Sequence, residues 1–520
     1  MFAKFQSTNL ATINYFVEPI LSLAVLHSRA ISGASAPSVT VECHLANGLP
    51  AFTIVGLPEA EVRESRDRVR AALVHSGFDF PARRITVNLA PADLPKHSGR
   101  FDLPIALGIL AANGQLPLKG LSQIESVGEL SLTGALKPVR GVLTMAIAMQ
   151  ALDPPRALIV PRANAAEARL AGGCQIIAAD SLVHVLRLLR DGPDPDDLTL
   201  APAAKIADLI QAHDLSEVRG QGQAKRAIEI AAAGQHHILL SGPPGSGKSM
   251  LARCLSGIMP SMTHAEALSA AALQGLSGEF DITHWGTRPF QSPHHSASAA
   301  ALVGGTSNPR PGEISLAHNG ILFLDELPEF NRQALEVLRE PLETGVVTIS
   351  RAQRRCEFPA RFQLIGAMNP CPCGYFGEPR CRCSADQIQR YQHKLSGPFL
   401  DRVDLQVHVS AVAAADLLKP TISESSSTVR QRVEEARQIQ LARQGQSNAL
   451  LSPAQMDEYL ALTDEAASFA GQAMSRLNWS ARTFHRVLKV ARTVADLSHN
   501  VTVEKNHVAQ AMQYRPQMAR

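Results

Sequence analysis

His236–Ser249 reads HHILLSGPPGSGKS. Ile238–Ser241 is a short apolar run, the pattern of a buried strand. It breaks into Gly242-Pro243-Pro244-Gly245-Ser246-Gly247, and Lys248-Ser249 opens a helical stretch over Met250–Ile258. This is G-x-x-x-x-G-K-S in a strand–loop–helix setting, the arrangement of a phosphate-binding loop. Glycines let backbone N–H groups approach phosphate, and the helix start adds positive potential. In that arrangement Lys248 reaches the β and γ phosphates of a nucleotide, and the Ser249 hydroxyl ligates Mg²⁺.

Further along, Gly320–Glu326 (GILFLDE) is an apolar strand ending in two acids. Acids at the C-terminal edge of such a strand fall in the ligand crevice of an α/β sheet. Asp325 would hold Mg²⁺ through water, and Glu326 would orient and deprotonate the attacking water. Phe362–Met368 (FQLIGAM) is a further buried strand, and Asn369 at its tip can position water or touch the γ phosphate. Ahead of it, strand-like Val346–Ser350 and Arg361–Leu364 flank RAQRRCEFPA, which reads as a hairpin carrying Arg351, Arg354 and Arg355. Three arginines there can track phosphates without reading sequence, or form a solvated basic turn. Arg402, in GPFLDRVDL, is either an exposed cation reaching a neighbouring subunit's phosphate or an ion-pair partner of Asp401 or Asp404.

Before the loop the chain alternates strands and helices. Val39–His44, Pro50–Val55, Arg84–Leu89, Ala157–Val160 and Gln175–Ala178 read as strands. Glu59–Leu73, Asp102–Ala112, Gly141–Ala151, Ala163–Leu170 and Ser181–Leu189 read as helices, and Thr133-Gly134 as a hairpin-like turn. Asp191–Leu200 (DGPDPDDLTL) breaks the pattern and reads as linker. From about Ala413 the chain is mostly helical, with segments at Thr428–Arg443, Ser452–Leu460, Asp464–Leu477, Ser480–Leu497 and Val503–Met512. Ser480 is placed to cap its helix. The first twenty residues lack a period and read as a disordered extension, with position 21 a candidate natural start.

At 520 residues the chain has room for roughly three domains. Its 45% hydrophobic and 5% aromatic content suits a soluble α/β protein with sizeable cores. A net charge of +3 announces no nucleic-acid partner, so any DNA-binding surface must be local. No apolar run approaches a membrane span and the N-terminus makes a poor secretory signal, which leaves the cytoplasm as the expected compartment. Of eight cysteines, four crowd into Cys371-Pro-Cys373 and Cys381-Arg-Cys383. Four thiolates so close can close a tetrahedral structural Zn²⁺ site; a reduced thiol cluster or a labile disulfide are the alternatives. His294-His295 has no third ligand at metal spacing and reads as part of a pore-facing insertion.

Gly242–Ser249, Asp325-Glu326, Asn369, Arg402 and Arg482 follow the order Walker A, Walker B, sensor 1, arginine finger and sensor 2. The chain therefore resembles AAA+ ATPases of the magnesium-chelatase-like branch. PAFTIVGLPEAEVRESRDRVRAAL (Pro50–Leu73), RITVNLAPADLPK (Arg84–Lys96), RFDLPIALGILAA (Arg100–Ala112), PGEISLAHNGILFLDELPEF (Pro311–Phe330) and NPCPCGYFG (Asn369–Gly377) look like the ComM/YifB family.

The resemblance, over positions 21–520, implies an α/β multidomain fold. Its parts are a disordered extension at 1–20, a Lon/ribosomal-S5-like α+β domain at 21–190 and a linker at 191–212. An AAA+ αβα core follows at 213–412, with the zinc-like cluster at 371–383, then a helical lid at 413–520. It implies a homo-hexameric DNA motor that promotes branch migration during natural transformation, on single-stranded and branched DNA. Glu326 would be the base, Arg402 would act in trans, and Arg482 in cis from the lid. In this branch such hairpins as the one before Asn369 line the ring pore. A Lon-type Ser–Lys dyad is missing: Arg100-Phe101-Asp102 and Gly141–Thr144 occupy its places, so the first domain reads as a non-proteolytic DNA or assembly module. The rival readings are a magnesium-chelatase-type motor subunit remodelling a protein partner and a DNA-binding scaffold without activity.

Overall fold

In the computed structural model the described residues are 22–198, 213–305, 309–351, 354–411 and 423–515. The twenty-residue extension and most of the linker lie outside them. The chain divides between residues 201 and 202 into two compact units.

The first unit is built on a seven-stranded mixed sheet. In chain order its strands are β1 (Leu23–Arg29), β2 (Ser38–Ala46), β3 (Ala51–Val55), β4 (Arg84–Ala90), β5 (Ile124–Ser126), then β8 (Ala157–Pro161) and β9 (Ile176–Ala179), arranged β3-β4-β2-β1-β5-β8-β9. Between them, β6 (Glu129–Leu130) and β7 (Leu136–Lys137) form the small hairpin around Thr133-Gly134. Strand side chains alternate between faces, so Val39, Val41, Cys43 and Leu45 of β2 are buried with Ile85, Val87 and Leu89 of β4. On that face lies the helix Asp102–Ala112, every residue of which is buried. β1 was not among the expected strands, although LAVLHSR alternates; it pairs antiparallel with β2 and parallel with β5. Where a peptidase nucleophile would sit, buried Asp102 accepts hydrogen bonds from Arg68 Nε at 2.7 Å, the Leu130 N–H at 3.2 Å and Ser65 Oγ.

The second unit holds five parallel strands: β10 (Ile238–Ser241), β11 (Phe290–Gln291), β12 (Ile321–Leu324), β15 (Gln363–Met368) and β16 (Leu405–His408), in the order β11-β12-β15-β10-β16. A separate hairpin joins β13 (Val346–Arg351) to β14 (Arg354–Pro359). This corrects the expected hairpin, whose return arm was placed at Arg361–Leu364. Cys356 and Phe358 are buried while Arg355 and Glu357 face out. The alternation of a strand was thus hidden inside what reads as a basic turn, and Gln363–Met368 belongs to the main sheet.

The C-terminal helices Ser426–Gln444, Asp464–Leu477, Ala481–Leu497 and Lys505–Gln513 share one apolar core with the sheet, where Val433, Ala436, Val490 and Val494 join Ile238, Leu240 and Leu251. Ser480 caps its helix by accepting the Thr483 N–H. Two of these helices are tied by a buried ionic knot: Asp496 accepts from Arg492 Nη2 at 2.8 Å, Arg443 Nη1 at 2.6 Å and Asn448 Nδ2 at 2.8 Å. Removing one partner of a buried ion pair leaves uncompensated charge. Asp496→Ala is therefore expected to cost about 3–5 kcal/mol of unfolding free energy, read from a denaturant midpoint. A loss below about 1 kcal/mol, the range of a solvated surface pair, would contradict it.

Candidate active site

The phosphate loop leaves the C-terminal end of β10 and enters the helix Lys248–Ile258. Two constraints shape it. A Cβ on Gly242 would meet the Val409 carbonyl oxygen at 2.1 Å, so only glycine lets the loop leave the sheet there. Gly247 caps the helix at φ +90, a left-handed conformation that side chains resist. Gly245 is also left-handed, and Pro243, Pro244 and Ser246 complete the turn. Lys248 donates to the carbonyls of Gly242 (2.8 Å) and Pro243 (2.9 Å) and to Asn369 Oδ1 (3.2 Å). Burial holds its ammonium below the usual lysine value, with the charge of Asp325 pulling the other way.

Across the crevice, at the end of β12, Asp325 accepts a 2.7 Å hydrogen bond from Ser249 Oγ. A hydroxyl and a carboxylate held together beside a phosphate loop are hard oxygen donors of the kind Mg²⁺ takes, so this pair fits the metal. Asp325 also accepts the Glu326 N–H at 2.9 Å. Glu326 sits at φ +52, sparsely populated for a residue with a side chain; such strain clusters at functional sites. Its Oε2 lies 3.1 Å from His295 Nδ1, and His295 stacks on His294 with ring centroids 4.1 Å apart. The histidine pair, read as a pore-facing insertion, instead places His295 against the acid. It follows β11, which neighbours β12, and only strand order brings the two together.

Asn369, at the end of β15, leads straight into the cysteine cluster. Cys371 and Cys373 sulfurs lie 3.4 Å apart, Cys371 and Cys381 3.9 Å, Cys373 and Cys381 3.6 Å, and all four sulfurs including Cys383 fall within 4.8 Å. With Zn–S bonds of about 2.3 Å, tetrahedral geometry sets sulfurs about 3.8 Å apart, so the cluster fits zinc. Backbone N–H groups of Arg382 and Tyr375 bring the Cys373 thiol down to about 6, whereas Cys383 stands raised at about 11. The cluster also touches the phosphate loop: a Cβ on Gly374, itself at φ +85, would meet Pro244 Cδ at 2.5 Å.

Arg402 and Arg482 lie elsewhere. Arg402 is buried at 7% exposure, not the exposed cation expected, and its acid partner is neither Asp401 nor Asp404. Its Nη2 pairs with Glu343 Oε1 at 2.6 Å and its Nη1 donates to the Pro398 carbonyl at 2.5 Å. Arg482 Nη1 lies 3.8 Å from the same Glu343 oxygen. Arg402 precedes β16, which runs parallel to β10 with Leu405 opposite Ile238 and His408 opposite Ser241. It thus sits at the N-terminal edge of the sheet, whereas Lys248 follows the C-terminal edge, a separation of roughly 13 Å over four residues of strand. Arg486, one turn after Arg482, pairs with Asp404 at that same edge. The helix carrying Arg482 is thus anchored at the N-terminal edge of the sheet, away from Lys248.

Of the hairpin arginines, Arg355 is exposed and pairs with Glu357 at 3.0 Å, and Arg351 stands opposite Arg354 in the backbone register. No helix among the described residues is long and apolar enough to cross a membrane.

Three family models match the chain in succession. Subunit ChlI of Mg-chelatase matches residues 41–164, magnesium chelatase, subunit ChlI, matches 214–417, and its C-terminal model matches 423–515. Competence protein ComM of Haemophilus influenzae is 48% identical over 500 residues, covering 95% of this chain and 98% of that one. YifB of Escherichia coli is 46% identical over 502 residues, covering 95% and 97%. Likeness at this level over nearly the whole of both chains makes this protein a member of the ComM/YifB family, built on magnesium-chelatase-type, AAA+-like modules.

Proposed function

We propose that the protein is a ring-forming, Mg²⁺-dependent ATPase that moves DNA, driving branch migration of recombination joints during natural transformation. The observation that carries the reading is the convergence of Lys248, Ser249, Asp325, Glu326 and Asn369 on one phosphate loop. Lys248 binds the β and γ phosphates and Asn369 orients it. Glu326 accepts the proton of the attacking water. Ser249 and Asp325 hold Mg²⁺, which when bound neutralises charge on the phosphate oxygens.

Arg402 and Arg482 lie at the opposite edge from this loop, which supports a role for both on a neighbour's nucleotide and hence a closed assembly, a homo-hexamer. The hairpin with Arg351, Arg354 and Arg355 would follow DNA phosphates in the pore. The first domain, residues 21–190, serves as a non-proteolytic Lon/ribosomal-S5-like module; the core at 213–412 and lid at 413–520 work as one motor after the 191–212 linker. The cytoplasm is the compartment this work requires. Competence is in the name of the ComM relative, and it supports natural transformation as the setting.

Zinc in the Cys371–Cys383 cluster would brace the phosphate loop through Gly374. The purified protein is expected to hold about one zinc per chain at four thiolates. Cys373→Ser with Cys381→Ser is expected to lose the metal, lower the thermal midpoint and weaken ATP binding together. A fully stable, metal-free protein would contradict the assignment.

The rival is a chelatase motor subunit remodelling a protein partner, favoured by the descriptions of the family models. Models with chelatase descriptions cover residues 41–164 and 214–417, so neither the first unit nor the basic hairpin separates the two readings; the cysteine cluster argues for the first. ATP turnover measured with and without single-stranded DNA decides between them. Several-fold stimulation is expected, and turnover indifferent to DNA would favour the rival.

A further inference from the structure

Glu343 is the contact between two parts of the molecule that the proposed function uses separately. It is the second-to-last residue of the short helix Arg339–Thr344. Gly345 then turns the chain at φ +70 directly into β13. The joint is stiff. Thr344 Oγ1 donates to the Glu340 carbonyl at 3.0 Å and accepts the Val346 N–H at 3.2 Å, and the Ala360 N–H closes the hairpin base on the Gly345 carbonyl at 2.8 Å. The paired strands β13 and β14 therefore continue rigidly from the helix end that carries Glu343.

On its other side Glu343 holds Arg402, with the exposed Arg482 nearby. Its Oε1 is 2.6 Å from Arg402 Nη2 and 3.8 Å from Arg482 Nη1. Arg402 is confined there: only 8% of its side chain is exposed, its Nη1 is engaged by the Pro398 carbonyl, and its Nε is buried without a partner. A guanidinium buried in this way and paired with a carboxylate is turned away from an incoming phosphate until the pair opens. Glu343 itself is 45% exposed, so its carboxylate can be drawn off without opening a core.

We propose that Glu343 is a positioning residue that withholds Arg402 from a neighbouring subunit's nucleotide and releases it when the β13–β14 hairpin is displaced. The inference rests on the reading that Arg402 acts in trans and that the hairpin meets DNA. Displacement at the hairpin base shifts the end of the Arg339–Thr344 helix with it, and Glu343 leaves the guanidinium group. A phosphate then replaces the carboxylate as the anion that Arg402 binds; both present planar oxygen pairs to the guanidinium fork. DNA at the hairpin and hydrolysis at the adjacent subunit are thereby coupled through one side chain.

The test is ATP turnover by the full-length protein, with and without single-stranded DNA, for wild type, Glu343→Gln, Glu343→Asp and Arg402→Ala. DNA affinity is measured in parallel by fluorescence anisotropy. Glu343→Gln is expected to raise turnover without DNA several-fold, toward the DNA-stimulated rate, and to bring the stimulation ratio close to unity at unchanged DNA affinity. Glu343→Asp, which keeps the charge, is expected to restore part of the DNA dependence. A Glu343→Gln protein whose DNA-free turnover equals or falls below wild type overturns the proposal and leaves the reading of the arginines standing. Full turnover by Arg402→Ala, or wild-type turnover indifferent to DNA, overturns the underlying reading and the proposal with it.

Discussion

Glu326→Gln is expected to bind ATP and Mg²⁺ as wild type does while its turnover falls by about two to four orders of magnitude, the usual worth of a positioned general base. The amide keeps the size of the carboxylate and the left-handed backbone at φ +52, so the end of β12 keeps its shape. Lys248, Ser249 and Asp325 stay where they are, because Ser249 bonds Asp325 and not Glu326. What is lost is the proton acceptor. The contact of 3.1 Å to His295 becomes a neutral hydrogen bond, which holds the side chain without restoring basicity. Rapid-quench turnover beside equilibrium binding of a labelled nucleotide separates the two quantities. Near-wild-type turnover would show that another group takes the proton, and unmeasurable binding would show that Glu326 holds the loop together.

The second large effect concerns Arg402. Arg402→Ala is expected to lower turnover in the presence of single-stranded DNA by about three orders of magnitude or more, the range for an arginine finger. Its position makes a sharper claim. Lys248 lies beyond the C-terminal end of β10 and Arg402 ahead of the N-terminal end of β16, so the two stand at opposite edges of the sheet within one chain. Two inactive proteins, Lys248→Ala and Arg402→Ala, are therefore expected to regain turnover when mixed. At some contacts a Lys248→Ala subunit lends its intact Arg402 to the intact phosphate loop of an Arg402→Ala subunit. If Arg402 served its own chain, every loop in the mixture would lack either lysine or arginine and the mixture would stay inactive.

How much of this was legible from the sequence follows from how local each feature is. The phosphate loop is contiguous, and its glycines and lysine must be neighbours to work, so strand, turn and helix stood out over Ile238–Ile258. The cysteine cluster was legible for the same reason, since its four residues lie within one short segment. The apolar helix Asp102–Ala112 was legible because it is buried all round and carries no competing pattern. The failures at the site are non-local. The partner of Arg402 is Glu343 in another helix, and nothing near Arg402 in the chain points to it when two aspartates stand closer. His295 meets Glu326 only because β11 and β12 are adjacent. β14 is hard to read because Arg354 and Arg355 at its start suggest a turn, while Cys356 and Phe358 are its buried residues among the described side chains. Order along the chain does not say which sheet edge Arg482 meets; the tether from Arg486 to Asp404 sets it.

The most direct measurement is ATP-dependent branch migration of a labelled three-stranded DNA joint, wild type beside Glu326→Gln. The account requires movement with wild type, Mg²⁺ and ATP together, and none with Glu326→Gln. DNA binding and ATP turnover by the wild type without movement of the joint would contradict it.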